Sequence, residues 1–301
     1  MTGGLHTSGR APAAGRELVP ALLNLVRFQH TVFALPFAVA GALLARHEWP
    51  RAAVLAWVLV AMVGARSLAM AINRLVDRHI DAANPRTAGR ELPSGRLTAQ
   101  QVWWFSAVSL AVLLVAVSQL PRITWWLWPI PVAGFVLYPY TKRFSWLCHL
   151  VLGLVIGLAP VGGWIAVTGH FAASPVLMGL AVAFWIGGFD IIYALLDLEF
   201  DRAHGVRSVP ARFGPAAALW TTRGMHVLAV LALAAAGETA GVGTWYRVGV
   251  AVCAAILVFE NLHVHPQDRA RIQAAFGRAN ALLALVFFVA VVAEVSVPSP
   301  L

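Results

Sequence analysis

The sequence predicts an all-α, polytopic membrane protein: nine transmembrane helices in a single bundle, with cytoplasmic loops capping one end. Three observations carry this. Of 301 residues, 60% are hydrophobic and only 12% charged, where a soluble domain carries about a quarter charged; mean hydropathy is +0.76. Apolar runs near the ~17–25 residues that span a bilayer recur along the chain, with no long polar linker to divide them into two domains. Basic residues crowd into alternate loops.

Residues 1–20, MTGGLHTSGRAPAAGRELVP, lack the apolar core of a signal peptide and read as a disordered cytoplasmic tail. Residues 21–301 form the expected membrane domain. Its first span is Leu22–Ala45 and its second Ala52–Ile72. Val102–Leu120 is the third, and Trp125–Tyr140 the short fourth, with Pro129 and Pro131 near its start. Trp146–Thr168 is the fifth, with Pro160 a candidate kink. Pro175–Leu196, Ala216–Ala236, Trp245–Leu262 and Ala279–Val297 complete the set. Trp49, Trp57, Trp103, Trp104, Trp125, Trp126 and Trp245 sit near span ends, as interfacial tryptophans do. The glycines of GLVIG and GLAPVGG suit close helix packing. Cys148 and Cys253 lie in apolar runs and read as packing residues.

With nine spans the two termini face opposite sides. Seventeen basic residues then fall on the N-terminal side and only Arg46, Arg51, Arg122 and Arg247 on the other, with Arg66 inside the second span. That skew predicts a cytoplasmic N-terminus in the cell inner membrane. It also accounts for most of the +9 net charge without nucleic acid as a partner.

The acids are not scattered. Asn73, Asp77 and Asp81 follow the second span at intervals of four, hence on one helix face. Asp197 and Asp201 repeat this after the sixth, with Tyr193 four residues before Asp197 and Asp190 two turns deeper, where a polar cavity is expected. Both segments emerge on the same side. Ion pairing with nearby arginines is one reading, and suits Arg74, Arg78 and Arg202. For the aspartates a divalent cation is favoured, because like charges four apart repel. Hard oxygen ligands without a Cys or His cluster point to Mg²⁺ or Ca²⁺. Arg86 and Arg90 follow the first acid pair, Arg207 follows the second, and Lys142 ends the fourth span in YPYTK, as a phosphate-bearing substrate would require.

These residues resemble the UbiA superfamily of intramembrane aromatic prenyltransferases. Asn73–Asp77–Asp81 matches its NxxxDxxxD motif. Asp190–Tyr193–Ala194–Asp197–Asp201 matches DxxYAxxDxxxD, and Tyr138–Lys142 matches YxxxK. The resemblance spans nearly the whole chain after the tail. It implies Mg²⁺-dependent transfer of a polyprenyl group from polyprenyl diphosphate to an aromatic acid inside the lipid bilayer, and it names no protein partner. It implies Asp77, Asp81, Asp197 and Asp201 as the metal-side acids, with Lys142, Arg86, Arg207 and Arg27 on the diphosphate. It gives Tyr138 and Tyr193 contacts there, Arg66 the acceptor's carboxylate and Asp190 its hydroxyl; for Arg66 the alternative is a pair with Asp190. RFQHTVFALPFA and ARSLAMAINRLVDRHIDAANPRTAGRELPSG look most like the branch acting on 1,4-dihydroxy-6-naphthoate in the futalosine route to menaquinone. The 4-hydroxybenzoate polyprenyltransferases of ubiquinone biosynthesis are the alternative. Two departures stand out: His30 where quinone-pathway relatives often carry Lys, and Phe200 before Asp201 where many carry an acid.

A cation-coupled transporter is the competing class, but it calls for acids spread through membrane depth. Glu260 with His263 and His265 is a weak Zn²⁺ pattern and reads better as a polar network. Glu260, Asn261 and Asn280 are open candidates for the acceptor pocket. Glu294 is expected to be solvated at the outer end of the last span.

Overall fold

The computed structural model describes residues 12–26 and 34–297, the side chains of 274–276 aside. Among them there is no strand. A 3₁₀ turn at Gly15–Glu17 leads into α1 (Leu18–Leu25). Then come α2 (Leu35–Leu44), α3 (Ala52–Ala83) and α4 (Ala99–Ser118). α5 (Thr124–Leu127), α6 (Pro129–Phe144) and α7 (Cys148–Thr168) follow. α8 (Ala173–Ala194) passes through a 3₁₀ turn (Leu195–Asp197) into α9 (Leu198–Ala203). α10 (Val209–Ala240), α11 (Thr244–His263), α12 (Arg269–Ala274), a π turn (Ala275–Ala279) and α13 (Asn280–Ser296) complete the chain.

Seven helices among the described residues are long and apolar enough to cross a membrane. The chain is thus a multi-pass membrane protein. The other two expected spans take shorter forms. Leu22–Ala45 is divided between α1 and α2, with 27–33 outside the described residues. Trp125–Tyr140 becomes the short α5 and the 16-residue α6, because prolines at 129 and 131 suit only the start of a helix. The expected tail is also corrected in part. Residues 1–11 lie outside the described residues, but Ala13 is buried, donates its N–H to the Arg96 carbonyl and accepts from Gln101 Nε2. The apolar face of α1 then packs against Ala71, Leu75 and Val102, so residues 12–20 belong to the fold.

α3 packs on α4 and α6, α6 on α7, α7 on α8, and α8 on α10. The ring continues through α11 and α13 and closes through α2. Glycines set the tightest crossings, as expected. A Cβ on Gly153 would strike the Ala183 carbonyl, on Gly157 that of Gly179, and on Gly163 that of Ala38. The two halves differ inside. Phe37, Trp185, Phe189, Tyr246 and Phe287 fill the half made by α2, α8, α10, α11 and α13. The half between α3, α4, α6, α7 and the inner face of α8 is hollow.

At its 32 residues α3 is ~48 Å long and overshoots a ~30 Å hydrocarbon core, carrying its last three turns beyond it. It stops at Asn84 (φ −90°, ψ 117°), the residue before a proline, where helical geometry is disfavoured. The sixth predicted span is likewise not one α-helix: the 3₁₀ turn intervenes, and Asp197 (φ −108°, ψ 7°) leaves helical geometry. Gly205 (φ +68°) lets the chain reverse after α9. Ser208 then caps α10, its Oγ accepting from the Ala211 N–H at 3.3 Å. Glu294 is not solvated; its carboxylate accepts from the backbone N–H groups of Gly243 and Tyr246 and caps α11.

Candidate active site

The two acid-bearing helix ends meet. Asn84, at the end of α3, donates from Nδ2 to Asp197 Oδ1 (2.9 Å), while its Oδ1 accepts the Arg86 N–H (2.9 Å). Arg86 crosses the same gap and grips both Asp197 oxygens, Nε to Oδ1 at 2.7 Å and Nη2 to Oδ2, and reaches the Tyr193 hydroxyl at 2.9 Å. Burial works against the Arg86 charge, but the Asp197 hydrogen bonds and charge outweigh it and raise its pKa above the ordinary arginine value.

The other acids are also paired. Asp77, 2% exposed, takes Lys142 Nζ at 2.6 Å and Arg143 Nη1 at 3.3 Å. Asn73 Nδ2 donates to Asp77 Oδ2 at 3.0 Å. Asp81, 5% exposed, takes Arg90 Nη1 at 2.7 Å and stands 3.8 Å from Arg74. Asp201 is buried and accepts from Ser208 Oγ at 2.9 Å. Ion pairing, set aside for the aspartates in the sequence, is therefore how the structure holds three of these four. The physical reason is the same repulsion that suggested a metal: a cation must offset it, and bases are within reach.

All of these acids line one cavity of about 570 Å³. Its mouth holds Asp77, Asp81, Asp197, Asp201, Arg86, Arg90 and Lys142. Arg66, Tyr138 and Asp190 lie further in; beyond them come Leu113, Val117, Leu127, Trp128 and Phe171. Arg66 does not pair with Asp190, which takes His149 instead at 2.7 Å. Arg66 Nε is buried with no hydrogen-bond partner, and no carboxylate lies within ion-pair distance of it among the described residues.

A hard divalent cation fits the mouth chemically. Four carboxylates share it, and Asp81 Oδ2 is buried without a hydrogen-bond partner. Yet no three acids, histidines or cysteines among the described residues stand close enough together to form a ready-made metal cage. The carboxylates would have to exchange a base for the ion.

Other expectations are corrected. Arg207 is exposed and does not line the cavity; its Nη1 donates to the Phe144 carbonyl (2.8 Å), at the end of α6 where carbonyls lack helical partners. Arg74, for which ion pairing was expected, is buried 3.8 Å from Asp81 and lines the cavity. Arg27 and His30 lie outside the described residues. Asn280 is buried in the filled half, accepting from Trp185 Nε1 at 2.6 Å, and neither it, Glu260 nor Asn261 lines the cavity. His263 stacks on Phe259, and both oxygens of buried Glu260 lack hydrogen-bond partners, so the expected polar network does not form around it. Sequence reasoning missed Asn84, Arg143, Ser208 and His149. The proline after Asn84 was a usable signal for the first; the others depend on contacts between distant segments.

Comparison with known proteins converges on one family. The model of the UbiA prenyltransferase family matches residues 34–292. A 4-hydroxybenzoate octaprenyltransferase of Aromatoleum aromaticum is 30% identical over 294 residues, covering 96% of this chain and 99% of the relative. The apo structure of a UbiA homolog from Aeropyrum pernix K1 superposes with TM-score 0.80 at 33% identity, covering 88% of this chain and 98% of that one. A UbiA homolog from Archaeoglobus fulgidus bound to DMAPP and Mg²⁺ shares the fold at TM-score 0.67 and 19% identity, over 90% of this chain and 99% of that one.

Proposed function

The chain belongs to the UbiA prenyltransferase family, and on that premise we propose that it moves a polyprenyl group from polyprenyl diphosphate onto the ring of a phenolic carboxylic acid. The names of its relatives favour 4-hydroxybenzoate, the alternative acceptor expected from the sequence, over the dihydroxynaphthoate expected first. The observation that carries the reading is the order of polarity along one cavity: an acid-and-base mouth, then Arg66, Tyr138 and Asp190, then an apolar end.

Asp77, Asp81, Asp197 and Asp201 are the residues that would hold Mg²⁺. When bound, Mg²⁺ supplies charge neutralisation to the diphosphate as its C–O bond breaks. Lys142, Arg86 and Arg90 exchange their aspartate partners for phosphate oxygens, which fixed cations in a water-poor site stabilise strongly. Tyr193, under the Arg86 guanidinium at 5.0 Å, holds that cation over the mouth. Arg66 pairs with the acceptor carboxylate and orients the ring toward the prenyl carbon. The apolar end excludes water from the allylic cation. We read nine apolar segments as crossing, with α2 and α6 as short members; the skew of basic residues supports a mouth and an N-terminus on the cytoplasmic face of the inner membrane.

The test is product mass. Purified protein in nanodiscs receives Mg²⁺, a polyprenyl diphosphate and either 4-hydroxybenzoate or the dihydroxynaphthoate. Prenylated 4-hydroxybenzoate is expected, and Asp197→Asn should abolish it without loss of the folded protein. Product from the naphthoate alone would overturn the acceptor assignment; full activity in Asp197→Asn would overturn the site.

A further inference from the structure

A second polar pair lies outside the mouth. His149, in the first turn of α7, has its ring buried, and its Nδ1 stands 2.7 Å from Asp190 Oδ2. On the ring's other side, Nε2 is 3.3 Å from the backbone nitrogen of Val209, the first residue of α10. A backbone N–H only donates. Nε2 is therefore the acceptor, and Nδ1 carries the hydrogen toward Asp190. Gly187 on α8 keeps this distance short: a Cβ there would stand 3.1 Å from the His149 carbonyl oxygen. Three helices thus fix one imidazole and one tautomer. His149 and Asp190 both line the cavity, and Tyr138 lies within electrostatic reach of both Asp190 and Arg66.

We propose that His149 is a positioning residue of the acceptor subsite: it holds the Asp190 carboxylate so that Asp190 receives the hydrogen of the acceptor's ring hydroxyl. This rests on the prenyl-transfer reading. As the ring carbon bonds to the prenyl carbon, the C–O bond to diphosphate breaks and its electron pair leaves with diphosphate. The hydroxyl oxygen feeds electrons to the ring while its proton passes to Asp190. The substituted ring carbon then gives its own hydrogen, as a proton, to the departing diphosphate, and the hydroxyl recovers its proton from Asp190. One C–H and one C–O bond are replaced by a C–C bond and a protonated diphosphate. His149 keeps its Nδ1 hydrogen throughout.

The test compares wild type with His149→Phe, His149→Asn, His149→Gln and Asp190→Asn in nanodiscs, with thermal melts as the fold control. In His149→Phe, kcat with 4-hydroxybenzoate is expected to fall about 10–100-fold, while the KM for prenyl diphosphate stays within about twofold. An Asn amide sits near the Nδ1 position, so His149→Asn should restore most of the turnover; Gln reaches toward Val209 and should not. Adding His149→Phe to Asp190→Asn should cost nothing further, since the two act as a unit. Calorimetric binding of 4-hydroxybenzoate against benzoate reads the same contact without turnover. His149→Phe should weaken the hydroxylated acid about tenfold and leave benzoate unchanged.

Wild-type kcat or wild-type preference for the hydroxylated acid in folded His149→Phe overturns the proposal. Asn no better than Gln overturns it too, and that pair decides if the Phe variant does not fold. Hydroxyl-dependent binding that His149→Phe abolishes, in a protein that transfers no prenyl group, would sink the function reading and leave the positioning role standing. Wild-type binding indifferent to the hydroxyl overturns the proposal.

Discussion

Replacing Arg66 by leucine should separate stability from function, with opposite signs. Arg66 lies seven residues, ~10 Å of helix, inside the boundary at Asn73. Its Nε lacks a hydrogen-bond partner and no described carboxylate pairs with it. An arginine at such depth costs ~2.5–3.5 kcal/mol on insertion scales, and no described ion pair offsets that cost here. Leucine removes the cost, so the melting temperature in nanodiscs should hold or rise. The acceptor carboxylate, in contrast, loses a charge-assisted contact worth ~1.5–3 kcal/mol. At 1.4 kcal/mol per decade, the KM for 4-hydroxybenzoate should rise about 10–150-fold, with the KM for prenyl diphosphate unchanged. Differential scanning fluorimetry and steady-state kinetics on the same preparation provide both readings. A melting temperature lower by several degrees would show that Arg66 has a structural partner, and an unchanged acceptor KM would remove it from the acceptor subsite.

Removing divalent cations with EDTA should stop transfer yet leave the melting temperature nearly unchanged, because three of the four mouth acids already pair with bases; unfolding on chelation would show a structural metal. Lys142→Ala should raise the KM for prenyl diphosphate about 10-fold or more and leave Asp77 with the Arg143 cation and the Asn73 amide; an unchanged KM in a diphosphate titration removes Lys142 from that subsite. Gly157→Leu forces a side chain into the Gly179 carbonyl and should destabilise by about 1–3 kcal/mol, read as a lower melting temperature; tolerance would mean that α7 and α8 can separate. Glu294→Ala should cost about 1 kcal/mol through the lost α11 cap while kcat stays unchanged, since Glu294 is not on the cavity wall.

What the sequence disclosed, and what it hid, follows from the range of each signal. Spacing within one helix is local, so intervals of four are enough to put Asn73, Asp77 and Asp81 on one face. Small residues at close crossings were legible for the same reason. Pairing across helices was not. Arg86 lies 111 residues from Asp197, and Arg207 turns to α6 because that helix end happens to be near. Asp190 was expected to face a polar cavity, but nothing in its own helix pointed to His149, 41 residues earlier. The broken turn at Leu195–Asp197 also escaped notice, because LLDLEF has no proline or glycine to announce it.

The counter-ions at the mouth bear on how such a chain survives its own synthesis. A newly inserted protein waits in the bilayer before any ligand reaches it. Four unpaired anions where two helix ends meet would repel one another there. Because lysine and arginines arrive on the same polypeptide as the aspartates, the nascent protein matures as a nearly self-cancelling salt cluster. Its durability between synthesis and first use then depends on its own residues rather than on the cell's supply of magnesium or isoprenoid.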